Sequence, residues 1–249
     1  MTAFALALLA GALVGLALGS LGAGGSILAV PALIHLLGFS PAEATTASLI
    51  IVIATSLTAL VAHARAGAVR WRAGLLFAAA GLLPAAAAGL LSAQLPATVL
   101  TLAFAALSAL AGLRMLRRRT PPDSVAVSAS GPRAAGAGAA MGAVTGFLGV
   151  GGGFLAVPAL VAALAVPMGA AVGTSLLVII ANALVALAAR ASTDVTLDWA
   201  LIMPFIATAV LGAWDGKRLS TKVRPAVLQG LFGTLLLTVA AVMATGALL

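Results

Sequence analysis

The stretch Gly19-Ser-Leu-Gly-Ala-Gly-Gly-Ser-Ile-Leu-Ala-Val-Pro-Ala-Leu33 returns later in the chain as Gly146-Phe-Leu-Gly-Val-Gly-Gly-Gly-Phe-Leu-Ala-Val-Pro-Ala-Leu160, with 11 of 15 positions identical. Chance does not readily give such a match, even in Ala-rich sequence. It continues at the same offset of 127 residues, where Ser48-Leu49 meets Ser175-Leu176. After a one-residue slip it pairs Trp71 with Trp199 and Leu91-Ser92 with Leu219-Ser220. The chain therefore reads as two homologous halves, residues 1–116 and 134–249. Residues 117–133, in a stretch that is first basic and then rich in Pro, Ser and Ala, form the linker.

Composition says what solvent these halves face. Hydrophobic residues are 63% of the 249 and charged residues 7%, with a mean hydropathy of +1.24, whereas about a quarter of a soluble domain is charged. A helix crossing the bilayer needs ~20 apolar residues. About ten apolar stretches, separated by short Gly, Pro or charged breaks, use up the chain and leave no room for a soluble domain of ~100 residues. The expected fold is an all-α polytopic membrane protein with five segments per half. In the first half they run about Ala3 to Gly19, Ser26 to Gly38, Ala42 to Ala64, Trp71 to Leu91 and Pro96 to Leu116. In the second they run about Ala134 to Leu148, Gly153 to Val166, Gly169 to Arg190, Leu197 to Ala213 and Pro225 to Leu249. The second segment of each half, at 1.5 Å per residue, reaches only ~20 Å of a ~30 Å core. It must tilt, re-enter, or be half of a broken helix. The apolar N-terminus lacks the basic region of a cleavable signal peptide and reads as the first segment.

Net charge is +8, but the cations lie between apolar runs rather than along one solvated face, so topology explains them and a nucleic-acid partner is not expected. Arg65, Arg70 and Arg72 follow the third segment. Arg114, Arg117, Arg118, Arg119 and Arg133 mark the linker, and Lys217, Arg218, Lys222 and Arg224 lie in the connection between the last two segments. Short cytoplasmic loops concentrate Lys and Arg. Placing all three regions in the cytoplasm leaves Arg190, near Asp194 and Asp198, as the one external cation of 13. Five crossings per half satisfy this only if the halves are inverted, the linker is cytoplasmic and both termini are external.

Inverted repeats with Gly-interrupted segments at matching places are the pattern of secondary transporters, whose substrate site lies near the midplane. Gly22, Gly24, Gly25 and Ser26 precede one short helix; Gly149, Gly151, Gly152 and Gly153 occupy the matching places before the other. A helix starting at such a break offers unpaired N–H groups and a positive dipole end to an anion. The plainer alternative is that these glycines let helices approach closely. Phe154 stands where a dinucleotide fingerprint would need a third Gly, and no strand precedes it.

These motifs, with Pro31 and Pro158 after the two breaks and Gly173-Thr-Ser-Leu176 on the following helix, resemble the sulfite exporter TauE/SafE family of membrane permeases. The resemblance spans nearly the whole chain. It implies a multi-pass inner-membrane protein exporting sulfite, sulfonates or related sulfur-containing anions. The first half departs from the motif, reading Thr46-Ala-Ser48 where the second reads Gly173-Thr-Ser175, so any ligands from it are unequal between halves.

Thr45, Thr46, Ser48, Thr174 and Ser175 could donate hydrogen bonds to sulfonate-like oxygens, or could satisfy themselves on the preceding turn. Asn182, which matches Thr55, needs a partner in hydrocarbon and suits a ligand or an interhelix role equally. Ionisable groups are few. Glu43 and His35 are the candidates for coupling, although Glu43 also suits a helix N-terminus and His35 has Ala162 as its counterpart; His63 lies at a cytoplasmic boundary. Uniport down the membrane potential and proton coupling both fit. There is no Cys and the two His are far apart, which leaves no catalytic residues, cofactor or metal site to expect. The alternatives are a membrane enzyme, which would need clustered reactive groups at one depth, and a structural or assembly subunit, against which inverted duplication weighs without ruling it out. The expected partners are a small anion and the lipid bilayer, with a homo-oligomer left open.

Overall fold

A computed structural model describes residues 2–22, 24–92, 96–117, 131–148, 153–190 and 195–248. Among the described residues the structure is helical throughout, in ten helices: α1 Thr2–Leu21, α2 Gly24–Leu37, α3 Pro41–Arg65, α4 Trp71–Ser92, α5 Ala97–Arg117, α6 Gly131–Leu148, α7 Gly153–Leu164, α8 Met168–Ala189, α9 Trp199–Lys222 and α10 Pro225–Leu248. Seven are long and apolar enough to cross a membrane; α2, α6 and α7 are not among them. The chain is a multi-pass membrane protein. Most of the linker, 118–130, lies outside the described residues.

One expectation needs correction. The cations Lys217, Arg218 and Lys222 lie not in a loop but on the last turns of α9, which runs past Ala213 to Lys222. Lys, Arg and Leu propagate a helix well and no proline falls between Ala213 and Pro225. Asp215 and Arg218 also pair across one turn, at 3.5 Å.

The repeat is visible in single bonds. Phe39 N–H donates to the Leu33 carbonyl at 3.1 Å, and its counterpart Val166 N–H donates to Leu160 at 3.2 Å. Between them the chain turns through a left-handed residue, Gly38 at φ 73° in the first half and Ala165 at φ 48° in the second. Glycine takes that conformation freely, whereas for alanine it costs ~1–2 kcal/mol.

Helices of one half pack mainly on helices of the other. Gly15 of α1 lies so close to Ala209 of α9 that a Cβ would overlap its carbonyl, and the counterpart Gly142 of α6 meets Gly81 of α4 in the same way. Gly11 against Phe205 and Gly138 against Phe77 repeat the pairing one turn earlier. In both seams residue numbers rise together, so α1 runs parallel to α9 and α6 parallel to α4. Small residues at four-residue spacing let the backbones touch, which is how helices associate where lipid removes the hydrophobic drive. It also explains α6, whose stock of Gly and Ala leaves it less apolar than a spanning helix but suits it to lie along α4. The α5–α10 pair closes the outside of the bundle, and there the buried Gln229 amide donates to the Met115 carbonyl at 2.7 Å.

Candidate site at the ends of the central helix pair

At the centre α3 packs against its own counterpart α8. The Arg190 guanidinium, just past the end of α8, donates from Nη1 to Thr45 Oγ1 at 2.7 Å and reaches Thr46 Oγ1 at 3.5 Å, near the start of α3. At the opposite end the Arg70 N–H, just past α3, donates to Thr174 Oγ1 at 3.0 Å near the start of α8. The two helices are therefore antiparallel. The same register sets Thr55, fully buried, level with the half-buried Asn182 at mid-length.

The Thr174 end is tightly closed. α1 stops at Gly22, whose φ of 72° turns the chain against α8, where a Cβ would come within 2.9 Å of Ser175 Oγ and 3.2 Å of the Val172 carbonyl. Gly173 lies beneath the connection after α3, with no room for a side chain beside the Ala68 carbonyl and His63 Cβ. His63 is only 1% exposed, and its Nε2 lies 3.2 Å from the Gly19 carbonyl oxygen. Thus the first Gly-rich break, the Gly173-Thr-Ser175 motif and His63 come together although they are far apart in sequence.

Other predicted site residues divide by position. Gly24, Gly25 and Ser26 form the first turn of α2, and Gly153 opens α7; Gly149, Gly151 and Gly152 lie outside the described residues. The short helices α2 and α7 touch each other and flank α3 and α8. Their 14 and 12 residues span ~20 Å, less than the hydrocarbon core.

The hydroxyls mostly serve their own helices. Thr46 donates to Ala42 at 3.0 Å, Ser48 to Thr45 at 2.8 Å, Thr55 to Ile51 at 2.7 Å and Ser175 to Val172 at 2.8 Å, in each case to a carbonyl of the preceding turn. A bound anion would have to turn these protons away from those carbonyls. Thr174 instead accepts from Arg70.

The coupling candidates sit elsewhere. Glu43 closes a capping box with Ser40: its Oε2 accepts from Ser40 N–H at 2.9 Å and from Ser40 Oγ at 2.7 Å. This satisfies a free helix-end donor and favours the dipole. His35 is exposed on the last turn of α2. Neither adjoins the Gly22–Ser175 junction.

Two residues at the ends of the pair were noted in the sequence but not placed among the candidate site residues. His63 and Arg190 are 127 positions apart and hence counterparts. The repeat was the signal that could have found them: each stands at the end of the central helix of its half, and each meets counterpart partners, Gly173 for His63 and Thr46 for Arg190. Among the described residues no group of three His, Asp or Glu is placed to hold a metal ion.

Comparison with known proteins gives a consistent picture. The family model described as "Sulfite exporter TauE/SafE" matches residues 7–243. A relative from Xylella fastidiosa (strain 9a5c), named "Probable membrane transporter protein", is 37% identical over 237 residues, covering 92% of this chain and 90% of its own length. A protein of the same name from Xylella fastidiosa (strain Temecula1 / ATCC 700964) is 36% identical over 237 residues, with the same coverage.

Proposed function

Because the chain belongs to the sulfite exporter TauE/SafE family of membrane transporters, we propose that it exports a small oxyanion, such as sulfite or a sulfonate, across an inner membrane by alternating access. The observation that carries this reading is the antiparallel packing of α3 on its own counterpart α8, with counterpart residues at either end. A site between such helices can be closed at one end and opened at the other by nearly equivalent movements. In this reading the anion lies between the Gly-rich starts of α2 and α7 and the α3–α8 pair, with Thr46, Ser48, Thr174, Ser175 and Asn182 within reach.

Antiparallel pairing of counterparts also supports inverted halves, residues 1–116 and 134–249, joined by a cytoplasmic linker with both termini external. Cysteines placed at Thr2, Ser124 and Leu249 test the topology, since the chain has none of its own. Labelling of Thr2→Cys and Ser124→Cys from one side of the membrane would refute it.

Transport is tested by anion flux into proteoliposomes, after a thermal-shift screen with sulfite, sulfoacetate, sulfate and carboxylates. Gly24→Leu combined with Gly151→Leu should abolish flux. Unchanged flux in that double variant would remove the Gly-rich breaks from the site.

A further inference from the structure

We propose that His63 is the proton-binding residue of this transporter, and that its charged form is neutralised by the transported anion, so that proton and anion are carried together. This rests on the transporter reading and adds a coupling ion to it.

The geometry of the ring is the starting point. A carbonyl oxygen can only accept, so in the contact with Gly19 the hydrogen sits on His63 Nε2. Nδ1 is then a bare acceptor, buried and without a hydrogen-bond partner among the described residues. A buried polar atom without a partner is costly, and such atoms mark functional positions more often than ordinary ones. Protonation would make Nδ1 a second donor, with no acceptor bonded to it among the described residues.

Among the described residues no counter-ion is placed beside that charge either. α1 carries no ionisable side chain between Thr2 and Leu21, and α8 carries none between Met168 and Ala189. α9 carries Lys217 and Arg218 on its last turns; the one acid there, Asp215, pairs with Arg218 at the exposed surface. On α3 itself the exposed Arg65 lies 5.9 Å from the Trp214 ring centroid, and the exposed Arg70 follows in the connection to α4. Every charged group facing His63 from its own helix, from the connection and from α9 is thus a cation, apart from the committed Asp215. An imidazolium there needs water or a mobile anion.

Both arrive only when the junction opens. Gly22, Val172, Gly173 and Ser175 must separate for solvent to reach the ring, so proton binding and opening are one linked equilibrium. The Gly-rich break one turn beyond Gly19 places the proposed anion site next to the ring.

The test uses the full-length protein in proteoliposomes, with Val172→Cys as a reporter at the junction, where the native residue is fully buried. Lowering the pH from 8 to 6 should speed labelling by a methanethiosulfonate reagent about fourfold, the change expected when an imidazole of ordinary pKa near ~6.5 binds its proton only in the open junction. Adding His63→Gln should make labelling independent of pH. Sulfite flux should rise with an imposed pH gradient in the wild type and be flat with pH in His63→Gln. A reporter that responds to pH equally with and without His63 overturns the proposal. If His63→Gln fails to fold, His63→Asn decides: loss of the pH response in labelling supports the proposal, and an unchanged response refutes it. Labelling that follows His63 while no anion crosses under any gradient would keep the proton site and sink the anion-transport reading. Flux indifferent to pH in both proteins would do the reverse.

Discussion

The two ends of the α3–α8 pair are built from counterpart positions and filled with different chemistry. At one end His63 lies on Gly173, Gly22 lies on Ser175, and among the described residues no carboxylate is placed to balance a charge. At the other the permanently charged Arg190 rests on the hydroxyls of Thr45 and Thr46. A titratable side chain closes the first end and a fixed cation guards the second. Duplicated architecture thus supplies two ends of similar shape with different electrostatics: the guanidinium attracts oxyanions whatever the pH, whereas imidazole is a side chain whose charge can change with pH.

The comparison can be broken first at what the halves share. Gly15→Val and Gly142→Val push a side chain into a neighbouring carbonyl in counterpart seams, and each should destabilise by about 3 kcal/mol, read as thermal unfolding in detergent. Tolerance of one and not the other would show that the seams are not equivalent. Next come the substitutions that exchange the two ends. Gly173→Thr, which gives the second half the residue of the first, should destabilise by about 2 kcal/mol because Ala68 and His63 fill the space; Thr46→Gly should cost only about 0.4 kcal/mol, the propensity difference. Arg190→Ala should slow sulfite flux about tenfold, equivalent to ~1.4 kcal/mol, and Arg190→Lys should restore part of it by keeping the charge without the planar fork. The smallest pair concerns the left-handed turns. Gly38→Ala should cost about 1 kcal/mol and Ala165→Gly should stabilise by about as much at most, so that the two halves converge.

Most helix boundaries were legible, because Gly, Pro and charge interrupt otherwise uniform apolar runs. Ser40 before Pro41 and Glu43 announces the start of α3, and the structure shows the capping box they form. The end of α9 was misread, since the charges at Lys217 and Arg218 do not interrupt the helix, which ends only at Lys222. What could not be read was which helix meets which. The segments are apolar all round, so no periodic face points to a partner. Gly15 and Gly142 reveal their seams only once α9 and α4 are in place, because close approach depends on the shape of both surfaces. His63 illustrates the same limit. In sequence it is a histidine next to Arg65 at a helix end, which suggests a solvated boundary; burial comes from α1 and α8, whose contribution is tertiary. The repeat did offer one unused lead, the equivalence of His63 and Arg190.

The seams between α1 and α9 and between α4 and α6 also bear on biosynthesis. A ribosome feeding this chain into a membrane releases α1 long before α9 exists, and α4 before α6 emerges past the linker. The early helices must wait in lipid with their glycine faces uncovered, held by orientation alone, until the second half arrives and the bundle interlocks. Synthesised as separate polypeptides in one membrane, the two halves should therefore find each other and assemble, while either half made alone should be cleared by membrane proteolysis.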